Sequence, residues 1–316
     1  MTDSSIPQRP TTQYVKVIEP PKTFQPLNLG ELWQQRELLF LFTLRDVKIR
    51  YKQTVLGLLW AVIQPFVTMI VFSFVFGRIA RMPSDGIPYP LFSYVGLLPW
   101  NFFSNGLNKA STVLVMNSQM IRKIYFPRLI LPISAILSGM VDFLISFAML
   151  GVLYVYYAVN TPNVTAGLKA YALTNPAFVE SAFKTVTANY EITANIIWLP
   201  VLLLLAFLSA LAVSLWLSAL NVAFRDVGYA LNFFLRMLLY LTPVIYPVSA
   251  LPEGLRLLSG LNPITGVVEG FRWAMLGVDT TPPGPLLLIS TTATLVLLVS
   301  GAFYFRKAEA TFADLV

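Results

Sequence analysis

From Gln53 to Gly77 the chain carries no charged side chain, and apolar runs of similar length recur to its end. A helix needs about 20 mostly apolar residues to cross the hydrocarbon core. Charge-poor runs of that size fall at roughly 55–77, 88–112, 129–157, 196–221, 229–249 and 284–305, which predicts six spans. The second is diluted by Asn101, Ser104, Asn105, Asn108 and Lys109, and the fifth carries Arg236 near its start. Residues 31–50 alternate Leu, Trp and Phe with Glu, Arg and Lys, as an amphipathic helix lying in the headgroup plane would. The stretch 251–277 is too charged and too broken by Pro and Gly to span. It reads as two short helices, 251–260 and 263–277, dipping in from the outer side, which is tolerable only where protein or water shields them. The expected fold is therefore an all-α membrane protein of six transmembrane helices, with an N-terminal amphipathic interface helix and two re-entrant outer helices.

Three domains follow. Residues 1–28 contain Pro7, Pro10, Pro20, Pro21 and Pro26 and no apolar h-region, so they are expected to form a disordered cytosolic tail and not a signal peptide. Residues 29–52 form the interface helix, and 53–316 the transmembrane domain. The domain contains a long polar outer insertion at 160–194, where Pro176 sits near a predicted helix start and Val179, Ala182, Phe183 and Val186 share one face.

Composition agrees: of 316 residues 56% are hydrophobic and 12% charged, while soluble domains are about a quarter charged. The net charge of +7 does not point to nucleic acid, because the Lys and Arg lie in short clusters between apolar runs rather than along one stripe. Cytoplasmic flanks carry the excess of Lys and Arg. With the N-terminus inside, the inner flanks hold twelve: Arg36, Arg45, Lys48, Arg50, Lys52, Arg122, Lys123, Arg128, Arg225, Arg236, Arg306 and Lys307. The outer flanks hold six: Arg78, Arg81, Lys169, Lys184, Arg256 and Arg272. Six spans then leave both termini in the cytosol.

Polar residues inside spans fall on faces. In the third, Ser134, Ser138, Asp142 and Ser146 recur every fourth residue. A carboxylate at membrane depth needs a partner or water, so Asp142 marks either a substrate path or a structural lock, and the lack of an ionisable residue at matched depth favours the lock. In the second span Asn101, Ser104, Asn105, Asn108 and Ser111 form one polar face, which either lines an aqueous path or bonds to other helices. In the fourth, Ala206, Ala210, Ser214 and Ser218 form a small-residue groove for close packing. Trp60, Trp100, Trp198 and several Tyr cluster near span ends, as an interfacial belt or as rings on which sugars stack.

No catalytic constellation is present. Zero Cys and zero His exclude thiolate and imidazole chemistry and the usual zinc or haem ligands. The run 106–111, GLNKAS, resembles a phosphate-binding loop only superficially and falls in a predicted span. No metal site and no cofactor are expected in this chain, so any energy source lies outside it.

Several motifs match one family in order. Arg45, Asp46, Lys48, Arg50, Tyr51, Thr54, Leu56, Gly57, Trp60 and Pro65 fall where its signature has them. They are followed by MNSQMIRKIYFPRLILP (116–132), NVAFRDV (221–227), TPVIYPVSALP (242–252), LNPITGVVEGFR (261–272) and the terminal FRKAEATFADLV. From about Glu31 to Val316 the chain resembles the permease subunits of ABC-2 type exporters, in the branch that exports lipid-linked O-antigen, capsule and teichoic acid polymers. The resemblance implies a homodimer in the bacterial inner membrane on two copies of a separate ATPase, which binds ATP and Mg. It implies a cargo attached to a polyprenyl pyrophosphate that threads between the permease copies. It makes residues 117–126 the coupling helix, with Asn117, Gln119, Arg122, Lys123, Tyr125 and Phe126 as contacts. It makes Arg45, Lys48, Arg50 and Lys52 candidates for the lipid pyrophosphate, alongside a plain role in topology and anionic-lipid binding. Trp60, Asn101, Ser104, Asn105 and Asn108 become channel candidates. The two outer helices become a periplasmic gate with Pro252, Asn262, Pro263, Glu269 and Arg272. The segment 160–194 is longer than the connection typical of the family. A membrane enzyme acting on lipid-linked sugars, or an exporter of a small lipid or drug, are the alternatives.

Overall fold

The computed structural model describes residues 29–52, 57, 59–85, 87–172, 194–224, 226–276, 283–309 and 312, with residues 29, 158 and 160–172 described by backbone alone. The expected tail 1–28 lies outside these residues. Among them every regular element is helical. The helices are α1 (Leu29–Gln34), α2 (Arg36–Lys52), α3 (Leu59–Phe72, continued by a π-helical stretch Ser73–Ile79), α4 (Tyr89–Met116), α5 (Ser118–Lys123) and α6 (Ile130–Leu137). They continue with α7 (Gly139–Ala172), α8 (Leu199–Ala223, preceded by a 3-10 turn Ala194–Trp198), α9 (Asp226–Leu241), α10 (Glu253–Ser259), α11 (Thr265–Leu276) and α12 (Gly284–Glu309).

Among the described residues four segments are long and apolar enough to cross a membrane: Leu59–Ile79, Ile130–Tyr157, Ala194–Ala223 and Gly284–Glu309. They correspond to the first, third, fourth and sixth expected runs. The second run is α4, 28 residues long but diluted by its polar face. The fifth is α9, which has 16 residues and stops at Leu241, short of the expected 249. Pro243 explains the stop, since the residue before a proline is pushed out of the α region and proline donates no backbone hydrogen bond. Val244 and Ile245 beyond it are apolar because protein buries them, at 0% and 2% exposure.

The core forms around α4 and α8, which pack on each other; α12 lies against α8, and α6, α7 and α11 lie against α4. The small-residue groove of α8 serves this: Ala206, Ala210, Ser214 and Ser218 are all fully buried. At Gly301 of α12 a Cβ would come within 2.8 Å of Trp216 and 3.0 Å of the Ala212 carbonyl, so glycine sets how closely α12 approaches α8. The third span breaks at Ser138, between α6 and α7. Its helix then runs on to Ala172, so the first part of 160–194 is helical. The small helix expected near Pro176 lies outside the described residues.

The interface segment divides at Gln35 into α1 and α2, and its apolar residues occupy more than one side. Leu38 and Phe42 pack inward, while Trp33, Phe40, Leu41 and Ile49 stay exposed. That pattern suits a helix with protein on one side and lipid on another, not a single apolar stripe.

Candidate functional site

The end of α2 meets α3, α4 and α7 around a cavity of about 240 Å³, lined by Arg50, Tyr51, Trp60, Gln64, Asn101, Asn105, Asp142 and Ser146 among others. The corner between α2 and α3 is turned at Gly57, whose φ of 46° lies in the left-handed region that side chains disfavour. α2 packs along α6. That carries Arg50 to Asp142, in the first turn of α7 beyond the break at Ser138.

Asp142 therefore has the partners that the sequence does not reveal. The Arg50 guanidinium forms an ion pair with it, and the Tyr51 hydroxyl donates to the same carboxylate. Burial lowers the Arg50 guanidinium from its usual pKa and raises the Tyr51 phenol. Tyr51 thus stays protonated at neutral pH and remains a donor. Ser146, one turn on, donates to the Ala61 carbonyl at 2.9 Å and ties α7 to α3. Tyr51 is legible in the signature, but its function depends on a residue 91 positions away.

The five channel candidates divide. Trp60 is 53% exposed and lines the cavity with Asn101 and Asn105. The side-chain amides of Gln64, Asn101 and Asn105 make no hydrogen bond among the described residues. Asn108 instead donates to Asn232 of α9 at 2.8 Å, and Ser104 turns back toward the Asn101 carbonyl. One polar face thus divides, Asn101 and Asn105 lining the cavity and Asn108 pairing α4 with α9.

The four cationic candidates also separate. Arg45, Lys48 and Lys52 border a shallow hollow on α2 with Leu41, Leu44 and Ile49. Arg45 pairs with Asp46 at 2.9 Å and lies 4.8 Å from the Phe42 ring centroid. Arg50 points the other way, into the cavity.

In the coupling segment Gln119, Arg122, Lys123 and Tyr125 are exposed around the short helix α5. Asn117 is half-buried and its amide donates to the Val113 carbonyl at 2.8 Å. Phe126 is 5% exposed and packs edge-on against Phe42 of α2 at 5.7 Å, so it anchors the segment and presents no surface.

At the opposite end of the bundle, α9 gives way to irregular backbone, whose buried carbonyls need donors. Arg272, 2% exposed, supplies them. It donates to the carbonyls of Pro243 (2.6 Å), Val244 (2.7 Å) and Tyr246 (3.4 Å) and to Glu269 Oε1 (2.9 Å). Its guanidinium lies 3.8 Å from the Phe92 centroid, and Glu269 accepts from the Val248 N–H at 3.3 Å. Asn262 donates to Thr242 at 2.8 Å, and the Pro263 carbonyl accepts from Ser209 of α8 at 3.3 Å. Ser290 of α12 donates to the Gly260 carbonyl and accepts from the Gly266 N–H, both at 3.0 Å. Pro252 opens α10, its carbonyl accepting from the Leu255 N–H at 2.9 Å. Sequence reasoning gives Ser209, Thr242 and Ser290 no role here, because each is an ordinary hydroxyl in an apolar run.

Known proteins extend this geometry. The chain is 26% identical over 287 residues to the O-antigen export system permease protein RfbA of Myxococcus xanthus, covering 90% of this chain and 97% of that protein. It is 25% identical over 290 residues to the RfbA protein of Klebsiella pneumoniae, covering 92% and 97%. It is 23% identical over 275 residues to the polysialic acid transport protein KpsM of Escherichia coli, covering 87% and 93%. The family model described as ABC-2 type transporter matches residues 37–276, a stretch that takes in the cavity, the coupling segment and the Arg272 cluster, and the chain belongs to that family.

Proposed function

We propose that this chain is the transmembrane permease subunit of an ATP-driven exporter that moves a polyprenyl-pyrophosphate-linked polysaccharide across the bacterial inner membrane. The observation that carries this reading is similarity along nearly the whole chain to permeases named for O-antigen export and to a polysialic acid transporter. The amides around Trp60 that have no partner among the described residues support it, since such groups within apolar helices suit hydrated, polyhydroxyl cargo.

In this reading α4 and α9 complete six spans, with both termini cytosolic and α10 and α11 as the re-entrant outer gate. Two copies form the channel, with Asn105, exposed on the polar face of α4, toward it. Arg45, Lys48 and Lys52 meet the lipid pyrophosphate at the inner leaflet. The exposed residues of α5 dock in a separate ATPase, two copies per transporter, which holds ATP and Mg. This chain performs no chemistry itself.

The test is affinity purification from native membranes, followed by ATPase and export assays in proteoliposomes with polyprenyl-linked glycan. A stoichiometric ATPase whose activity responds to the glycan is the expected result. An ATPase-free preparation that still processes glycan would overturn the reading in favour of an enzyme.

A further inference from the structure

A helix of six residues has no stability of its own, because nucleation fixes several residues for very few hydrogen bonds. α5 also lacks a side-chain cap at its N-terminus. Its position is therefore set by its flanks, and on the C-terminal side these converge on Arg128. The Arg128 guanidinium donates to the backbone carbonyl of Glu309, in the last turn of α12. Its backbone N–H donates to Glu309 Oε1 at 3.4 Å, and its guanidinium carbon lies 5.7 Å from the Phe312 ring centroid. Glu309 is held in turn by Arg306 at 2.6 Å. Phe312, 1% exposed, packs edge-on against the fully buried Phe305 at 5.3 Å.

The last carbonyls of a helix have no intrahelical partner and carry the negative end of its dipole. Arg128 thus caps α12 from another element, two residues beyond the Phe126 anchor on α2. The exit of α5 is held between the interface helix on one side and the end of the last span on the other.

We propose that Glu309 and Phe312 are positioning residues for coupling: by holding Arg128 they fix α5 against the bundle, so that motion imposed on α5 is delivered to the spans. This rests on the reading of α5 as the ATPase-docking element. Without the clamp α5 yields, and ATP is hydrolysed with less export.

The chain has no cysteine, so Ile124→Cys gives a unique site for a nitroxide beside α5 in the full chain. Phe312→Ala is expected to raise label mobility. In the Cys-free permease–ATPase complex it is expected to lower glycan exported per ATP roughly fivefold, the loss of an aromatic pair and a cation–π contact, while ATPase stays within about twofold. Phe312→Leu, which keeps most of the buried apolar volume but not the ring, restores part of both readings. Should Phe312→Ala not fold, Glu309→Gln takes its place, removing only the link to Arg306, with a smaller shift in the same direction. Unchanged export per ATP overturns the proposal, as does a loss of export and ATPase in step with folded yield. A wild-type complex that exports no glycan sinks the functional reading, and label mobility, which needs neither cargo nor ATPase, then decides the clamp.

Discussion

Replacing Arg272 by Met removes the donor set that holds the turn after α9 while keeping a long side chain in its place. Two short hydrogen bonds go at once, those to Pro243 and Val244, and Glu269 loses its cation. Breaking a buried ion pair on one side costs about 3–5 kcal/mol. Each orphaned buried carbonyl adds about 1–3 kcal/mol. Even the low end is about 5 kcal/mol, a large share of the roughly 5–15 kcal/mol that holds a typical fold. At about 2–4 °C per kcal/mol, the melting temperature of the detergent-solubilised protein should fall by at least about 10 °C. Arg272→Lys should recover only part of this, because an ammonium cannot reach three carbonyls and a carboxylate in one plane. Glu269→Gln should lie between, since the amide oxygen still accepts from Val248. A melting temperature for Arg272→Met within about 2 °C of wild type, by fluorescence-detected size exclusion, would refute the assignment of Arg272 as the support of that turn.

Other consequences follow from the cavity and the coupling segment. Asp142→Asn leaves Arg50 without its counter-charge, but both side chains are partly exposed, so the loss should be about 1 kcal/mol and appear as lower folded yield. Transport per folded molecule should change little, and adding Arg50→Gln should recover the yield; normal yield with abolished export would make Asp142 a transport residue. Lys123→Glu reverses an exposed charge on α5 and should weaken ATPase coupling with insertion intact, which pull-down of the ATPase and export assays would check. Asn101→Leu removes an amide that has no hydrogen-bond partner among the described residues, so thermal stability should hold or rise while export falls. A destabilised Asn101→Leu variant would show that the amide supports the fold instead.

The hydrophobic runs made most of the helices legible, because length and apolarity are local properties. What the runs could not show is which solvent they face. Val244 and Ile245 read as a continuation of the fifth span, yet protein buries them in a non-helical turn. Phe126 reads as one more residue of a docking segment, yet its ring lies against Phe42. α4 reads as a weak span, yet its apolar positions are among the most buried in the chain, and its polar face divides between a cavity and α9. The partner of Asp142 was hidden for another reason: the charge count places Arg50 at the cytosolic boundary, and only the packing of α2 along α6 brings it to the third span.

Hydroxyls and amides inside an apolar bundle are ambiguous from sequence because the same residue types serve backbone and cargo. Their partners separate the two uses. Ser209, Ser290 and Arg272 all reach main-chain groups of the segment 243–266, where the backbone between α9 and α11 leaves carbonyls and N–H groups to be satisfied from elsewhere. Their need is internal, and any cargo would compete with the fold for them. Gln64, Asn101 and Asn105 are the reverse: among the described residues no main-chain group claims their amides, and they converge on a cavity with an exposed indole. Arg50 and Asp142 sit at the boundary, neutralising each other while still bordering that cavity. A membrane fold gains nothing from amides it does not bond, which is why these three, and not the outer cluster, carry the path proposed for cargo. The outer cluster instead commits its bonds to the fold: Arg272 Nε and Thr265 Oγ1 find no partner among the described residues, but the rest of the Arg272 guanidinium holds the turn after α9 in shape.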